Sequence, residues 1–359
     1  MKYVMIDGNN LAIRCAFANS ELKTSEGIPS GVHYGVFQSL INLKKTYPEH
    51  KLVICWDGKS ERRVKEAKAA VEKGLIKSGY KENRPKDDLP QPLKDFYDQS
   101  TVLKKGIEQA GILQLRLSQY ETDDVIASYC KSLKGENEIV CVTNDKDYYQ
   151  LLDDNVIISK WSGGEETIID KETWSKENGI SPEQHVDCGA LSGDTGDNIF
   201  GIPSWGDKTA LKAIQQLGSW QNVLSKYKED LDPLRHKFPD LKDNPEEFKR
   251  LANLVTPAEQ KKKDAGEEWK GKYPEITIDM PYTGVALAVE DKKTKAIKKT
   301  VLLALMHEER VGLAYSLKKM DDDIVLPEIG TLAANKEKLM EYLDYFEIES
   351  LKMEIGVFG

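Results

Sequence analysis

Three short apolar runs in this chain each lead into an aspartate. Tyr3-Val4-Met5-Ile6 runs into Asp7, Leu52-Val53-Ile54-Cys55-Trp56 into Asp57, and Ile139-Val140-Cys141-Val142 is followed by Thr143-Asn144-Asp145. Continuous rather than alternating apolar runs of this length fit strands of a parallel sheet covered on both faces. The carboxyl ends of such strands share one edge, which is where ligands bind in open α/β folds. Residues far apart in sequence, Asp7, Asp57 and Asp145, are therefore expected to meet at that edge. Val156-Ile157-Ile158-Ser159 predicts a fourth strand, and Val36, Phe37, Leu40, Ile41 and Leu43 predict a helix between the first two.

More acids join this set. In Tyr120-Glu121-Thr122-Asp123-Asp124, three carboxylates precede Val125, Ile126, Tyr129, Cys130 and Leu133, whose helical spacing predicts a helix beginning near Thr122. Acids in a first turn also suit the helix dipole with no further role. Asp147, Asp194 and Asp197 bring the candidates to nine. Gathered carboxylates repel one another unless a cation sits among them. Oxygen-only donors suit Mg²⁺ or Mn²⁺ rather than zinc. The five histidines fall outside these clusters. So many acids call for two or more ions, and two metals about 4 Å apart stabilise the attacking and leaving oxygens of phosphodiester hydrolysis.

The net charge of -9 argues against a nucleic-acid partner only if charge is evenly spread. It is not. Between Lys59 and Lys86, ten Lys or Arg face four Glu. Such a run can be a solvated helix surface. Directly after Asp57 it can also contact phosphates, through Arg62 and Arg63 among others, with Tyr80 and Tyr97 placed to stack on unpaired bases. A helix is expected over Arg63–Leu75. The five cysteines lack CxxC spacing and read as reduced core residues of a cytoplasmic protein. No stretch is long and apolar enough for a membrane span or signal peptide.

Ser181-Pro182 predicts the start of a helix reaching Leu191. A second, carrying Leu211, Ile214 and Leu217, should end at Gly218, with Asp207 as its N-cap. The Gly-bounded turn between them (Gly201-Ile202-Pro203-Ser204-Trp205-Gly206) is either an ordinary helical hairpin or a phosphate grip. In the second case Gly201, Ile202 and Gly206 offer backbone, with Lys208 and Thr209 beside them. Beyond Asp230 the pattern predicts a helix over Glu246–Leu254, a charge run at Gln260–Lys263, strands within Tyr282–Tyr315 and a last helix over Leu339–Phe346.

In order, Val4-Met5-Ile6-Asp7-Gly8-Asn9-Asn10, Trp56-Asp57-Gly58 with Arg63 and Tyr80-Lys81-Glu82-Asn83-Arg84, Tyr120-Glu121-Thr122-Asp123-Asp124, Thr143-Asn144-Asp145-Lys146-Asp147, and Gly193-Asp194 through Ala210 resemble the motifs of the 5′-nuclease, or flap endonuclease, family. That family includes the 5′→3′ exonuclease domain of bacterial DNA polymerase I and free-standing bacteriophage enzymes. The likeness covers roughly residues 1–220. It implies an α/β, PIN-like parallel-sheet core with a helical arch and a helix-three-turn-helix DNA-binding motif, followed by a C-terminal extension. The implied division is a catalytic core over 1–178 (arch about 59–105), a DNA-binding region over 179–260 and an extension over 261–359. By the resemblance, Asp7, Asp57, Glu121, Asp123 and Asp124 hold one metal set, and Asp145, Asp147, Asp194 and Asp197 the other. Lys81 and Arg84 contact the scissile phosphate, and backbone carbonyls of the hairpin hold K⁺. The expected substrate is branched or 5′-flap DNA or an RNA–DNA hybrid, met in replication or repair by a monomer. With no polymerase region following, the chain is similar to the free-standing phage enzymes, which act in the bacterial host cytoplasm. A PIN-type RNase and a non-catalytic branched-DNA binder are the alternatives.

Overall fold

A computed structural model describes residues 1–235 and 307–359, apart from 86, 87, 134, 136, 163 and 204. The chain forms two compact units. The first comprises residues 1–62, 84–183 and 320–359, and the second residues 63–83 and 184–319. The helix expected over Glu246–Leu254, the run Gln260–Lys263 and most of the strand region from Tyr282 lie outside the described residues.

The first unit is built on a six-stranded sheet: β1 (Lys2–Asp7), β2 (Lys51–Cys55), β3 (Leu113–Leu115), β4 (Glu138–Val142), β5 (Val156–Ser162) and β6 (Glu165–Ile169), in the order β3-β2-β1-β4-β5-β6. The first five strands are parallel, and β6 returns antiparallel to β5. The four strands expected in this unit are present. No apolar run marks β3, which is three residues long, or β6, which lies largely in solvent. The register sets Asp7 opposite Cys55 and Ile6 opposite Val142. Asp57 and Asp145 therefore leave the sheet just beyond Asp7, on the same edge.

Alternation distributes the apolar strand residues between two buried faces. Val4, Ile6, Leu52, Ile54, Val140 and Val142 join a core with α1 (Gly8–Ala18), α2 (Gly31–Thr46) and α4 (Gln91–Gln109). Met5, Val53, Cys55, Ile139 and Cys141 are also buried, and α5 (Thr122–Ser132) packs against β1 and β2. All five cysteines are buried and free. Two more helices complete the first half of the chain: α3 (Glu61–Glu72), in the basic segment, and α6 (Lys171–Asn178).

The end of the chain is part of the first core rather than an appendage. Leu339 and Leu343 of α11 (Lys336–Tyr345) enter the same cluster with Phe346, Ile348, Leu351 and Ile355. Tyr342 lies over Gly106 of α4, where an added Cβ would come 2.3 Å from the ring. His33, with no exposed surface, stacks on Phe346 at 3.6 Å between centroids. Its Nε2 donates to Gln99 (3.3 Å) and its Nδ1 accepts from the Tyr342 hydroxyl. Burial lowers the His33 pKa from 6.5 to about 4. A depressed histidine pKa contributes stability that is present above pH 6.5 and is lost as pH falls through 4. Between pH 7 and 4.5 this group alone should remove about 2–3 kcal/mol. Thermal melts at the two pH values should therefore diverge less for His33→Gln than for the wild type; equal divergence would sink this attribution.

The second unit contains α7 (His185–Ser192), a two-stranded hairpin of β7 (Gly193–Asp194) and β8 (Ile199–Phe200), α8 (Asp207–Leu217), α9 (Trp220–Arg235) and α10 (Glu308–Lys318). The first expected helix begins as a 3₁₀ turn at Pro182 and becomes α-helical only at His185. The second ends at Gly218 with φ of 86°, as expected, but its N-cap is Gly206, and Asp207 is the first helical residue. The strand pattern expected up to Tyr315 is overturned from Glu308 onward. There Val311, Ala314 and Leu317 bury one face of α10, which packs on α7.

Candidate metal centre and nucleic-acid interface

In the first unit, the acids are fixed by the loops that follow β1, β2 and β4. Asp7 caps α1, its Oδ1 accepting from the Asn10 N–H at 3.0 Å. Its Oδ2 accepts from the hydroxyls of Thr143 (3.2 Å) and Tyr148 (3.4 Å). Asp57 Oδ1 accepts from the Thr122 N–H at 3.0 Å, joining the β2 loop to the start of α5. Asp145 caps a 3₁₀ turn by accepting from the Asp147 N–H at 2.9 Å. Two asparagines lace the loops together: Asn9 Oδ1 accepts from the Asp57 N–H and Asn10 Oδ1 from the Asn144 N–H. These amides give Asn9 and Asn10 their role in the first motif.

Electrostatics shows which acids feel one another. The Asp7 carboxyl is pushed from its ordinary 3.8 up to about 7, first by burial and then by the Asp57 carboxylate, with Asp145 and Asp123 adding to the rise. The Asn10 N–H opposes it. The buried Tyr148 hydroxyl is raised by burial and by the same four acids, so it too faces this cluster. Among the described residues, no three His, Cys, Asp or Glu side chains are gathered tightly enough to cage an ion. What exists is a repelling set around a buried carboxylate. A hard divalent cation relieves such a set, and the all-oxygen donors suit one.

Glu121 is half-buried at the N-cap of α5, with Asp123 in its first turn. Asp124 differs from its neighbours. It is 1% exposed, and its Oδ1 accepts from the Asp321 N–H at 2.8 Å. Ser128 Oγ donates to the Asp321 carbonyl and accepts from the Ile324 N–H, and the Tyr129 hydroxyl donates to the Pro327 carbonyl. Asp124 thus anchors the segment after residue 320 to α5, a role the sequence reading did not contain.

In the second unit, Asp194 and Asp197 are held in the β7–β8 turn. Asp194 Oδ1 accepts from the N–H groups of Gly196 (2.9 Å) and Asp197 (3.3 Å), while Oδ2 lies 2.8 Å from Lys318 Nζ. Burial raises the Asp194 pKa, but Lys318 and the two N–H groups outweigh it and the carboxyl ends below its ordinary value. Asp197 Oδ2 lies 3.7 Å from Lys81 Nζ and accepts from the Tyr80 hydroxyl at 3.3 Å. Lys81 has a left-handed backbone (φ 56°), held by its N–H donating to the Asp197 carbonyl at 3.0 Å. Asn83 and Asn198 add three more hydrogen bonds between residues 78–83 and the turn.

Several expected DNA contacts change. Arg63 is 1% exposed and Tyr80 8%, with the Arg63 guanidinium 6.0 Å from the Tyr80 ring centroid. Tyr80 is therefore a buried support for Lys81 and Asp197 rather than a stacking platform, and Arg63 is an interior residue. Arg62 is half-buried, Arg84 exposed, and Tyr97 remains 52% exposed. Gly201 and Ile202 are buried; their carbonyls accept from Arg310 (2.7 Å) and from the Trp205 N–H (3.0 Å). Gly206, Asp207, Lys208 and Thr209 are exposed, so the amino end of α8 presents backbone N–H groups and Lys208 to solvent, as an anion requires.

Comparisons with known proteins identify the family of the chain. A family model described as the N-terminal resolvase-like domain of 5′-3′ exonuclease matches residues 2–179, and its C-terminal SAM-fold partner matches residues 180–272. A protein named 5′-3′ exonuclease from Aquifex aeolicus is 33% identical over 255 residues, covering 70% of this chain and 81% of that protein. DNA polymerase I of Bacillus subtilis is 32% identical over 278 residues, covering 75% of this chain but only 30% of the polymerase. The fold resembles that of the bacteriophage T5 5′-exonuclease, solved with zinc, at a TM-score of 0.50 and 19% identity over 88% of this chain and all of that one. A matched pair of domain models and a relative aligned over most of its length converge on one assignment: the chain is a member of the 5′-3′ exonuclease family.

Proposed function

We propose that this chain is a divalent-metal-dependent, structure-specific 5′ nuclease that hydrolyses DNA near single-strand/duplex junctions. The observation that carries the reading is the Asp7 carboxyl, raised to about 7 by burial and by acids delivered from two other strand ends and α5. Support for the substrate comes from a relative named as an exonuclease and from a T5 flap endonuclease structure described as a complex with DNA and metal ions, 18% identical at a TM-score of 0.50. Mg²⁺ or Mn²⁺ is assigned to Asp7, Asp57, Glu121, Asp123, Asp124, Asp145 and Asp147 in the first unit and to Asp194 and Asp197 in the second. The chemistry available at these residues with a divalent ion bound would be activation of a water and neutralisation of charge on the phosphate.

The chain's own residues have separate work. Asp7 and Asp57 are held on one side by the Asn10 and Thr122 N–H groups, so their orientation is set before any ion arrives. Lys81 and Arg84 are proposed to hold the scissile phosphate. The exposed amino end of α8, with Lys208 and Thr209, is proposed to grip a duplex phosphate. A K⁺ ion held by carbonyls of this hairpin would share it with the Arg310 guanidinium, which already binds the Gly201 carbonyl. The biological setting we assign is flap or primer removal in a bacterial cytoplasm.

The test is cleavage of a 5′-flap duplex labelled at either end, with Mg²⁺ or EDTA. Cuts near the junction that require Mg²⁺ are expected, and Asp145→Asn should lower the rate at least ~100-fold, more than loss of an outer-shell partner does. Tight flap binding without cutting, in Mg²⁺ and Mn²⁺ alike, would leave a binder. Preferential cutting of single-stranded RNA would make the chain an RNase.

A further inference from the structure

We propose that Lys318 is a resident counter-ion of Asp194 that competes with a divalent ion for this carboxylate. The proposal rests on the nuclease reading, in which Asp194 is a metal ligand.

The placement of Lys318 is built into the fold. It is the last residue of α10 and only 9% exposed. A lysine is seldom buried to this degree without a partner. Its stem crosses α7 at Gly189, where an added Cβ would lie 3.0 Å from Cε and 3.6 Å from Cγ. The missing side chain at Gly189 is the channel through which the ammonium reaches Asp194 Oδ2, at 2.8 Å. Oδ1 is meanwhile engaged by two backbone N–H groups. Both oxygens of Asp194 are thus supplied with donors from the chain itself. The neighbouring Asp197 has the same kind of partner in Lys81, so two lysines serve the two acids of this turn.

A carboxylate oxygen can accept from an ammonium and ligate a cation through different lone pairs, but the two positive charges then lie close together and repel. The stem of Lys318 lies against α7 at Gly189, which limits how far the ammonium can retreat from Asp194. An ion at Asp194 is therefore held more weakly than the same acids would hold it without Lys318. A lysine with a purely structural role would leave metal affinity unmoved when replaced by an apolar residue of similar length.

Mn²⁺ binding to the full chain, without DNA, separates the two. Free Mn²⁺ is followed by electron paramagnetic resonance and total heat by titration calorimetry. Lys318→Met should tighten the weakest class of Mn²⁺ by about tenfold or more, the scale of a close buried charge pair. Lys318→Arg should change nothing, and Lys318→Met should have no effect when Asp194→Asn is already present. If Lys318→Met fails to fold by circular dichroism, Lys318→Gln, which keeps a donor without the charge, takes its place with the same expectation. Unchanged or weaker Mn²⁺ binding in a folded neutral variant overturns the proposal. If wild type binds Mn²⁺ at sites lost in Asp7→Asn while the Lys318 variants match wild type, only the role of Lys318 falls. If neither wild type nor any variant binds Mn²⁺, the metal-nuclease reading falls, and the proposal with it.

Discussion

Replacing Asp7 with Asn should abolish cleavage and at the same time make the metal-free protein more stable. Few substitutions at a buried polar position do the second. The reason lies in the cluster. The carboxyl of Asp7 is moved from 3.8 to about 7 by burial and by Asp57, Asp145 and Asp123. A raised carboxyl pKa means a contribution to stability that is complete below pH 3.8 and is lost as pH rises through 7. At pH 8 the ionised group opposes folding by ~4 kcal/mol, at 1.36 kcal/mol per pH unit. Asparagine removes that charge and keeps an oxygen for the Asn10 N–H. Its amide then faces the hydroxyls of Thr143 and Tyr148, which must turn to accept, so part of the gain is forfeited. The expected net gain is ~1–3 kcal/mol, or a Tm higher by about 2–6 °C for a chain of this size.

Calorimetry in EDTA at pH 8 measures this gain, and two controls give it meaning. At pH 4 Asp7 is already protonated in the wild type, so the two proteins should melt nearly together. Saturating Mn²⁺ at pH 8 should raise the wild type more than the variant, because the ion relieves the charge that Asn has removed. Cleavage of a 5′ flap should fall at least ~100-fold in the variant throughout. A lower Tm for Asp7→Asn in EDTA at pH 8 would show that the carboxylate is welcome in its site without a cation.

The acids in this cluster were legible in the sequence because their positions follow from one simple rule. Parallel strands buried on both faces are continuous apolar runs, and their carboxyl ends share an edge, so Asp7, Asp57 and Asp145 had to meet there. The start of α5 was legible for a related reason: Val125, Ile126, Tyr129 and Cys130 repeat at helical spacing, and all four are buried. What escaped were partners chosen by long-range packing. Nothing near residue 318 announces that its lysine meets an aspartate 124 positions earlier. Nor does Ser128 reveal that it holds Asp321, or Gly106 that Tyr342 covers it. Tyr80 and Arg63 were misplaced because a basic, aromatic stretch has the same composition whether it faces DNA or folds back on its own acids. The contact with Asp197 decides between these, and it is a tertiary fact. Asp207 lost the capping position to Gly206 by a single residue, which is the usual scale of error at a helix end.

Gly58→Ala should be the most damaging single-methyl change near the site, for a reason that has nothing to do with conformational freedom. A Cβ at this position would lie 2.1 Å from the Leu117 carbonyl oxygen, 2.5 Å from that of Tyr120 and 2.8 Å from that of Ser118. All three are backbone atoms, so no side chain can swing aside. The same contact carries the hydrogen bonds Gly58 N–H to Tyr120 O and Lys59 N–H to Ser118 O, each 2.9 Å. It also keeps Asp57 Oδ1 within 3.0 Å of the Thr122 N–H. Accommodating the methyl means parting these two loops, which separates Asp57 from Glu121 and Asp123 and leaves polar backbone without partners. Overpacking and lost hydrogen bonds together predict a destabilisation of about 3 kcal/mol or more. Activity should suffer beyond what stability explains, because the parted loops carry candidate ligands. At 10 °C, where a weakened fold is still populated, flap cleavage should remain far below wild type. Gly356→Ala is the matched control: its Cβ would meet nothing within 4 Å, and the change should stay within about 0.5 kcal/mol. A Gly58→Ala protein with wild-type Tm would mean that the loops after β2 and before α5 yield easily, and the close approach at Gly58 would then not be what fixes Asp57.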